Sequence, residues 1–540
     1  MKTIVSVVFV LAMLHSAASV AMDWVLEDAE HWMRQGAQDL HEALDRSAVG
    51  GRARNVIIFV GDGMGLSTVT ATRIYKGQQR GHMGEETRLS FDKFPSLGLA
   101  KTYNINKQVP DSAGTATAIF SGVKSKFYMV GFDVNAPYNK CDRAINEKSA
   151  VTSLMKWAQD AGKSTGFVTT TRVTHATPAA LYAHVNHRDW ECDGGIPAPD
   201  RDCLKDVARQ LVEDEPGRRL QVIMGGGWNP MGATQLEDED ESCIRLDGRN
   251  LIDEWKKMRA EEGASHAYVY DTEGLMAVDT NHIQYLMGLF DVGHLRYNSL
   301  RDRGPQGQPS LVNMTSQAIK ILQKNENGFV LMVEGGRIDH GHHENFARLA
   351  LQEGVEFDAA VELAMSMVDP KETLVVVTAD HSHAFTINGY PRRGNDILGF
   401  ANDSKTDYAY ETLTYANGPS FYYHRRNDTT EANSTWRDVS TDSTRDGVYY
   451  QHFSPMYMED ETHAGEDVPI YAIGPQAHLL HGVHEQSYIA HVISYSACIG
   501  PHRSLCATSK SSAAAESEHW TALPILTANL LLLMTKHLLR

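Results

Sequence analysis

The chain has 540 residues, 42% of them hydrophobic and 22% charged, so it can bury a large core and shows no global bias toward disorder. Its formal net charge of −18 argues against nucleic acid as a partner, because a phosphate backbone requires clustered Lys and Arg. An anionic small substrate would need a local source of positive charge, which bound divalent metal ions supply.

The N-terminus has the pattern of a cleaved signal peptide. Lys2 is followed by an apolar run over 4–14 and then by small residues that end at Ala21. The run is shorter than the roughly 20 apolar residues of a membrane-spanning helix. We therefore predict secretion with removal of residues 1–21. Residues 25–44 then form an amphipathic helical pattern, typical either of an arm that contacts a partner or of a helix that docks on its own domain.

The order of the remaining patterns predicts an α/β fold over one large domain, residues 22–507. Short apolar runs that end in Gly or acidic residues predict buried strands, and helical patterns lie between them, so we expect a mainly parallel sheet flanked by helices on both faces. The polar, Tyr-rich stretch 392–461 is predicted to be a surface insertion. The predicted strands are 55–60, 166–170, 221–224, 329–333, 374–378 and 469–473, and the predicted helices include 151–161, 204–212, 310–324 and 345–367.

Three acids, Asp62, Glu334 and Asp380, each follow a predicted strand. Ligands bind beyond the carboxyl ends of strands in such folds, so these acids should converge on one rim. Their mutual repulsion requires either protonation or bound cations, and we favour cations. The glycines around Asp62 invite a dinucleotide interpretation, but Leu66 stands where the third glycine belongs. A carboxylate held between glycines suits a bridging metal ligand instead.

Histidines accompany two of these strand ends. Asp339 and His343 are four residues apart and share a helix face if a turn begins there, so they could grip one zinc ion, although such pairs arise easily among 25 histidines. Asp380, His381 and His383 fall within four residues, and a capping role would explain the acid alone but not the two imidazoles.

Ser112 is expected where a helix begins, because an Ala-rich apolar segment follows it and free amides at such a position favour an anion. An ordinary N-cap serine is the plain alternative, and no Gly-x-Ser-x-Gly elbow surrounds it. A zinc ion could lower the pKa of its hydroxyl directly, so that no histidine base is needed. His463, before a glycine turn, is by itself typical of a satisfied surface or capping residue.

The C-terminal end has the arrangement of a lipid-anchor signal. Small residues at 511–513 precede a polar spacer and an apolar stretch over 522–534, so we predict that residues 508–540 are removed. Basic Lys536, His537 and Arg540 keep a transmembrane helix as the alternative. Six cysteines in a secreted chain suit disulfides. Glycan acceptor triplets begin at Asn313, Asn402, Asn427 and Asn433.

Together and in this order, these motifs resemble the alkaline phosphatase family, specifically its animal glycolipid-anchored branch, over nearly the whole mature chain. The segments 168–178 and 182–190 extend the resemblance. It implies that phosphate monoesters are hydrolysed through a phosphoserine on Ser112, with activity rising toward alkaline pH. It also implies one zinc ion on Asp339, His343 and His463, a second on Asp62, Asp380 and His381, magnesium on Asp62, Thr177 and Glu334, His175 and His383 outside the direct ligands, and Arg188 forking onto two phosphate oxygens.

The resemblance carries further expectations about assembly and location. It implies a homodimer in which the 25–44 helix embraces the partner and the 392–461 insertion forms a crown, on the outer face of the plasma membrane. It suggests the disulfides Cys141–Cys203 and Cys498–Cys506, which leaves Cys192 and Cys243 as an inferred third pair.

The sequence also bears on a calcium site and on two rival functions. A calcium site near Asp291 is in doubt, because Gln308 stands at its distal aspartate position. A sulfatase is disfavoured, since the context of Ser112 lacks the Cys/Ser-x-Pro-x-Arg pattern, and a binding protein without turnover would show lost ligands, whereas none is lost.

Overall fold

The computed structural model describes residues 49–233, 243–401, 410–426 and 436–506. The predicted signal peptide, the 25–44 helix, the anchor signal and the acceptor residues Asn402, Asn427 and Asn433 lie outside these residues. Asn313 lies in the first turn of a helix, where its backbone N–H donates to Ser310 Oγ at 3.2 Å.

Ten of the strands form one sheet in the order β14-β2-β13-β8-β1-β7-β3-β4-β6-β5. All neighbouring pairs are parallel except those of β13, which runs antiparallel to both β2 and β8. The sheet is therefore mainly parallel, as predicted. The strands are β1 Asn55–Gly61, β2 Ser96–Lys101, β3 Ser164–Arg172, β4 Val222–Gly226, β5 His266–Val269, β6 Tyr285–Leu289, β7 Phe329–Gly335, β8 Thr373–Ala379, β9 Ser382–His383, β10 Phe385–Ile387, β11 Leu413–Tyr415, β12 His463–Ala464, β13 Val468–Ile473 and β14 Gly482–Glu485.

All six predicted strands are confirmed, with ends that differ by up to two residues. The four predicted helices are also present, but they begin one to three residues later, and in three of them a side chain caps the first turn, as Ser153 and Asp206 do. The helices are α1 Leu66–Gln78, α2 Ser112–Ser121, α3 Arg143–Ser149, α4 Leu154–Asp160, α5 Ala176–Ala179, α6 Val207–Glu213, α7 Leu251–Glu261, α8 Thr272–Ala277, α9 Leu311–Leu322, α10 Arg337–His343, α11 Ala347–Met367, α12 Phe421–His424 and α13 Tyr488–Ala497.

The main core lies on the sheet, whose central strands β1, β7 and β8 are buried along almost their whole length. This burial on both faces explains why these strands read as continuous apolar runs. Among the described residues, none of the helices combines the length and apolar character needed to cross a bilayer.

The described part of the 392–461 insertion contributes no strand to the large sheet, because β11 pairs only with β10. It is nevertheless anchored by a small apolar core of its own, in which Leu413 and Tyr415 pack with Tyr75 of α1 and Leu351 of α11. This part of the chain is thus held on α1 and α11 through a shared apolar cluster.

Three disulfides join Cys141 to Cys203, Cys192 to Cys243 and Cys498 to Cys506. The two pairings implied by the resemblance and the inferred third pair are all confirmed.

Candidate metal centre

The predicted ligands meet at the carboxyl edge of the sheet. Asp62 follows β1, Glu334 lies near the end of β7, and Asp380 follows β8, and each of these carboxylates has 0% exposure. The three strands are neighbours in the order β8-β1-β7. The convergence expected from the sequence is therefore present.

The first ligand group consists of Asp339, His343 and His463. His343 Nε2 lies 3.3 Å from Asp339 Oδ2, His463 Nε2 lies 3.3 Å from Asp339 Oδ1, and the two Nε2 atoms are 3.1 Å apart. Tetrahedral zinc with bonds of about 2.0–2.2 Å places its ligand atoms roughly 3.3–3.6 Å apart. The three residues therefore fit one face of a zinc tetrahedron.

Local structure explains this arrangement. Helix α10 begins at Arg337, so Asp339 and His343 stand one turn apart on one face, as predicted. The Nδ1 of His343 donates to the Glu461 carbonyl at 2.5 Å, and that of His463 donates to the Pro110 carbonyl at 2.9 Å. Each hydrogen bond leaves Nε2 as the lone-pair nitrogen that a metal ion needs.

The second ligand group consists of Asp62, Asp380 and His381, with Ser112 beside it. His381 Nε2 lies 3.3 Å from Asp62 Oδ1, 3.4 Å from Asp380 Oδ2 and 3.1 Å from Ser112 Oγ. Ser112 Oγ is 3.5 Å from Asp62 Oδ1. Ser112 thus completes a second tetrahedral set of four ligand atoms.

Ser112 is the first residue of α2, but it is not the helix cap. Asp111 occupies that position, and its carboxylate accepts from the backbone N–H groups of Ala113 at 3.0 Å and Gly114 at 3.3 Å. The Ser112 hydroxyl is therefore free of capping and turns toward the ligand group, which removes the plain N-cap alternative.

A third group surrounds buried oxygen atoms that lack partners. Asp62 Oδ2, Thr177 Oγ1 and Glu334 Oε1 have no hydrogen-bond partner among the described residues, and neither does His175 Nδ1 nearby. Buried polar atoms are rarely left unpaired, so these oxygens call for a cation. An all-oxygen set with hydroxyl and carboxylate ligands suits magnesium.

Burial shifts the pKa values of three acids of this centre upward, whereas at Asp339 it is outweighed by His343 and His383, which hold that pKa well below its usual range. Burial, followed by repulsion from Asp380, raises the pKa of Asp62 well above its usual range. Burial, reinforced by Asp339, raises the pKa of Asp380 to about 7, and burial raises the pKa of Glu334 to about 7. The acids are thus held at high electrostatic cost without cations.

The pKa values of the histidines in the centre differ with their burial and their neighbours. Burial lowers the pKa of His381 well below 6.5 and also lowers that of His463, whereas at His343 burial is outweighed by Asp339, which raises the pKa. Burial opposes a charge on His383, but Glu461 and Asp339 on either side raise its pKa to about 10. Neutral rings suit metal ligation, whereas a charged ring between two carboxylates suits a supporting role.

Arg188 projects into the same space from the loop after α5. Its guanidinium donates to His175 Nε2 at 2.9 Å and to Asp111 Oδ2 at 3.4 Å. It lines a cavity of about 700 Å³ together with Ser112, Asp339, His343 and His463. This cavity also has a basic and aromatic wall formed by Lys107, Phe127, Tyr128, Arg172 and His340.

The suspected calcium position does not fit a cation. The amide nitrogen of Gln308 donates to the Asp291 carboxylate, and the Arg296 guanidinium lies 3.8 Å from it. Both nitrogen groups approach Oδ2 of Asp291, and an amide stands where an acid would be needed, which disfavours calcium at this position.

Sequence reasoning missed several residues that complete the centre. Glu461 contacts His383, Asp111 caps the helix of Ser112, and Thr169 donates to Glu334 at 2.5 Å. Arg172 forms a bidentate ion pair with Glu191 in the cavity wall. Among them, only Asp111 carried a signal, since an Asp directly before an apolar helix is a typical cap.

A mainly parallel α/β sheet that carries two zinc-sized ligand sets, an oxygen-rich third set and a serine at a helix start defines a metal-dependent hydrolase of phosphate esters. Known proteins agree with this class. Residues 53–499 match the family model described as alkaline phosphatase. The chain belongs to the alkaline phosphatase family, and it is a metal-dependent phosphomonoesterase.

Curated relatives and solved structures are consistent with this assignment. The chain is 48% identical over 499 residues to alkaline phosphatase 4 of Drosophila melanogaster, which covers 88% of this chain and 82% of the relative. It is 44% identical over 543 residues to the tissue-nonspecific isozyme of alkaline phosphatase from Gallus gallus. This alignment covers 97% of this chain and 99% of the relative. The fold matches the alkaline phosphatase of the Antarctic bacterium TAB5 with a TM-score of 0.56 at 22% identity, covering 83% and 99%.

Proposed function

We propose that Ser112 is the nucleophile of this phosphomonoesterase, that zinc occupies the first and second ligand groups and magnesium the third, and that Arg188 binds two phosphoryl oxygens. The observation that carries the proposal is the position of Ser112 Oγ. It lies 3.1 Å from His381 Nε2 and 3.5 Å from Asp62 Oδ1, close to the spacing between two ligand atoms of one zinc ion. A nucleophile inside a metal polyhedron needs no separate base.

The chain's own groups then account for both chemical steps. Bound ions supply positive charge that lowers the pKa of the attacking oxygen and stabilises the departing one. Ser112 Oγ forms a bond to phosphorus while the bond to the alcohol oxygen breaks on the side of Asp339, His343 and His463. Ser112 gives its proton to solvent in this step, and the departing alkoxide takes one up. Water then loses a proton and attacks the phosphoserine, the bond from phosphorus to Ser112 breaks, the serine oxygen is protonated again, and inorganic phosphate leaves.

Arg188 is suited to hold the phosphoryl group during both steps. A guanidinium offers a planar fork that matches two oxygens. His175 and Asp111 already orient the fork in the free enzyme, so little ordering remains when phosphate binds. Since this fork recognises the phosphoryl group alone, we expect broad tolerance of the alcohol.

Release of p-nitrophenol from its phosphate ester, at pH 7 and pH 10 with and without chelator, tests the proposal. We expect strong alkaline turnover that chelator removes, because protons compete with zinc for His343, His381 and His463 at lower pH. Ser112→Ala should lose this turnover while retaining zinc by elemental analysis. Ser121→Ala, in the same helix but remote from the centre, is the matched control. A fully active Ser112→Ala would exclude the phosphoserine.

We further propose that the chain is a secreted homodimer anchored to the outer face of the plasma membrane by a lipid, with residues 1–21 and 508–540 removed. Exposed aromatic residues of the insertion support the dimer, since the tilted rings of Tyr422 and Tyr457 lie 4.6 Å apart and the residues are 58% and 45% exposed. Light scattering of wild type and Tyr422→Glu tests the dimer. Release of cell-surface activity by a phosphatidylinositol-specific phospholipase tests the anchor, and retention of activity on the cells would contradict it.

A further inference from the structure

Glu461 joins the insertion to the first ligand group. It is the last residue of the 392–461 segment, lies two positions before His463 and has 0% exposure. Its carboxylate Oε2 accepts from His383 Nδ1, and the opposite nitrogen of the same ring, Nε2, lies 2.6 Å from Asp339 Oδ1. The imidazole therefore bridges Glu461 and a proposed zinc ligand.

The backbone of Glu461 holds a second ligand of the same group. Its carbonyl accepts from His343 Nδ1 at 2.5 Å, and its N–H donates to the His343 carbonyl at 2.8 Å. These two bonds fix both the ring orientation and the main chain at the end of α10. One residue thus touches Asp339 through His383, contacts His343 directly and sets the path of the chain that leads to His463.

Two other roles for Glu461 fit the geometry less well. As a direct zinc ligand it would have to reach past the His383 ring, which stands between its carboxylate and Asp339. A carboxylate with a purely structural role could pair with any cationic side chain. The partner of Glu461 is instead a histidine that contacts a proposed metal ligand. A carboxylate that orients a histidine behind a metal ligand is a recurrent arrangement in zinc sites.

We propose that Glu461 is a positioning residue for the metal site of Asp339, His343 and His463, and that it makes zinc affinity at this site depend on the insertion. This inference rests on the proposed function, in which those three residues bind zinc. The insertion is tied to the same region by further contacts, since Asn417 pairs with Thr462 and the backbone N–H of Ser420 donates to Asn345, two residues after His343.

Glu461→Gln in the full chain tests the proposal, because glutamine keeps the shape but not the charge. We expect zinc to bind this site about 10–100-fold more weakly, as for loss of other groups that support metal ligands. The dissociation constant is measured by zinc titration of metal-free protein against a competing chelator. Excess zinc should restore most of the turnover, which a general folding defect would not allow. Glu459→Gln, an exposed acid of the same segment, should bind zinc as wild type does.

A double-mutant comparison guards against misfolding of a single variant. If Glu461 acts through His383, then His383→Asn and the double variant His383→Asn/Glu461→Gln should lose the same zinc affinity. Equal affinities of wild type and Glu461→Gln, or additive losses in the double variant, would overturn the inference. If His343→Asn left the zinc stoichiometry of the wild type unchanged, the proposed ligand assignment itself would fail, which is a distinct outcome.

Discussion

Replacing Asp380 by Asn should stabilise the metal-free protein and destabilise the metal-loaded one. Asp380 is fully buried, and burial followed by the charge of Asp339 raises its pKa from 3.8 to about 7. Without cations, the folded protein must either keep this acid protonated or bear an uncompensated buried charge. Asparagine removes that burden, but it also removes a charged metal ligand.

The stabilisation should grow with pH. A folded-state pKa raised above the unfolded value means that the contribution of Asp380 to stability is fully present below pH 3.8 and is lost as pH rises through 7. Between pH 5 and pH 8 most of the loss occurs below the folded-state pKa of about 7. It therefore extends over about two pH units and amounts to at most about 3 kcal/mol. Asp62 and Glu334 interact with Asp380 in the same cluster. Part of this loss of free energy therefore comes from their titration and not from that of Asp380. Titration of His381 and His463 acts in the opposite direction; the share of His463 is common to the variant and wild type, whereas His381 contacts Asp380 and changes with the substitution.

Urea unfolding of chelator-treated protein at pH 5, 6.5 and 8 measures this effect. The free energy of unfolding of Asp380→Asn should exceed that of wild type by an amount that rises with pH, and the order should reverse when zinc and magnesium are restored. Asp446→Asn, at an exposed position, should show no such trend. An advantage that stays flat or shrinks from pH 5 to pH 8 would refute the electrostatic reasoning.

Three further substitutions test other parts of the centre. Arg188→Lys keeps the charge but loses the fork, so the inhibition constant for inorganic phosphate should rise about 10-fold or more with metal content unchanged; unchanged inhibition would contradict the fork. Thr177→Val should weaken activation by magnesium while zinc content by elemental analysis stays the same, and an unaltered magnesium response would remove Thr177 from the site. Gly63→Ala should lower both the melting temperature and the zinc affinity, because its φ is +69° and the new Cβ would lie 2.4 Å from His383 Nε2. The control is Gly81→Ala, whose φ is +81° and whose Cβ would meet open space. This control should show only the backbone strain of about 1–3 kcal/mol.

The central strands were predictable because burial on both faces leaves an unbroken apolar run. Two of the missed strands, β2 and β5, are of a different kind, whereas the missed β6 is apolar and mostly buried like the central strands. β2 alternates buried and exposed residues around Gly98, and β5 has only one buried residue in four. Edge and near-edge strands of this sort carry too little apolar sequence to be told from loops.

The partners behind the ligands were also beyond sequence reasoning. Glu461 closes an acidic run with Glu459 and Asp460, which by itself resembles a solvated loop. Only the fold shows that the last of these three acids turns inward to His383 while Glu459 and Asp460 stay exposed. Contacts across 78 residues of sequence leave no local signal.

The position of His463 depends on the direction of the strand that follows it, which its local sequence does not reveal. Asp62, Glu334 and Asp380 lie at or just beyond the ends of parallel strands, but His463 precedes β13, so in a purely parallel sheet it would lie at the opposite edge, roughly 20 Å away for a strand of this length. β13 instead runs antiparallel to β8, with Ile470 paired to Thr378 and Ile473 to Val375, so its beginning lies at the carboxyl edge. The one reversed strand therefore brings His463 to Asp339 and His343 and completes the first ligand group.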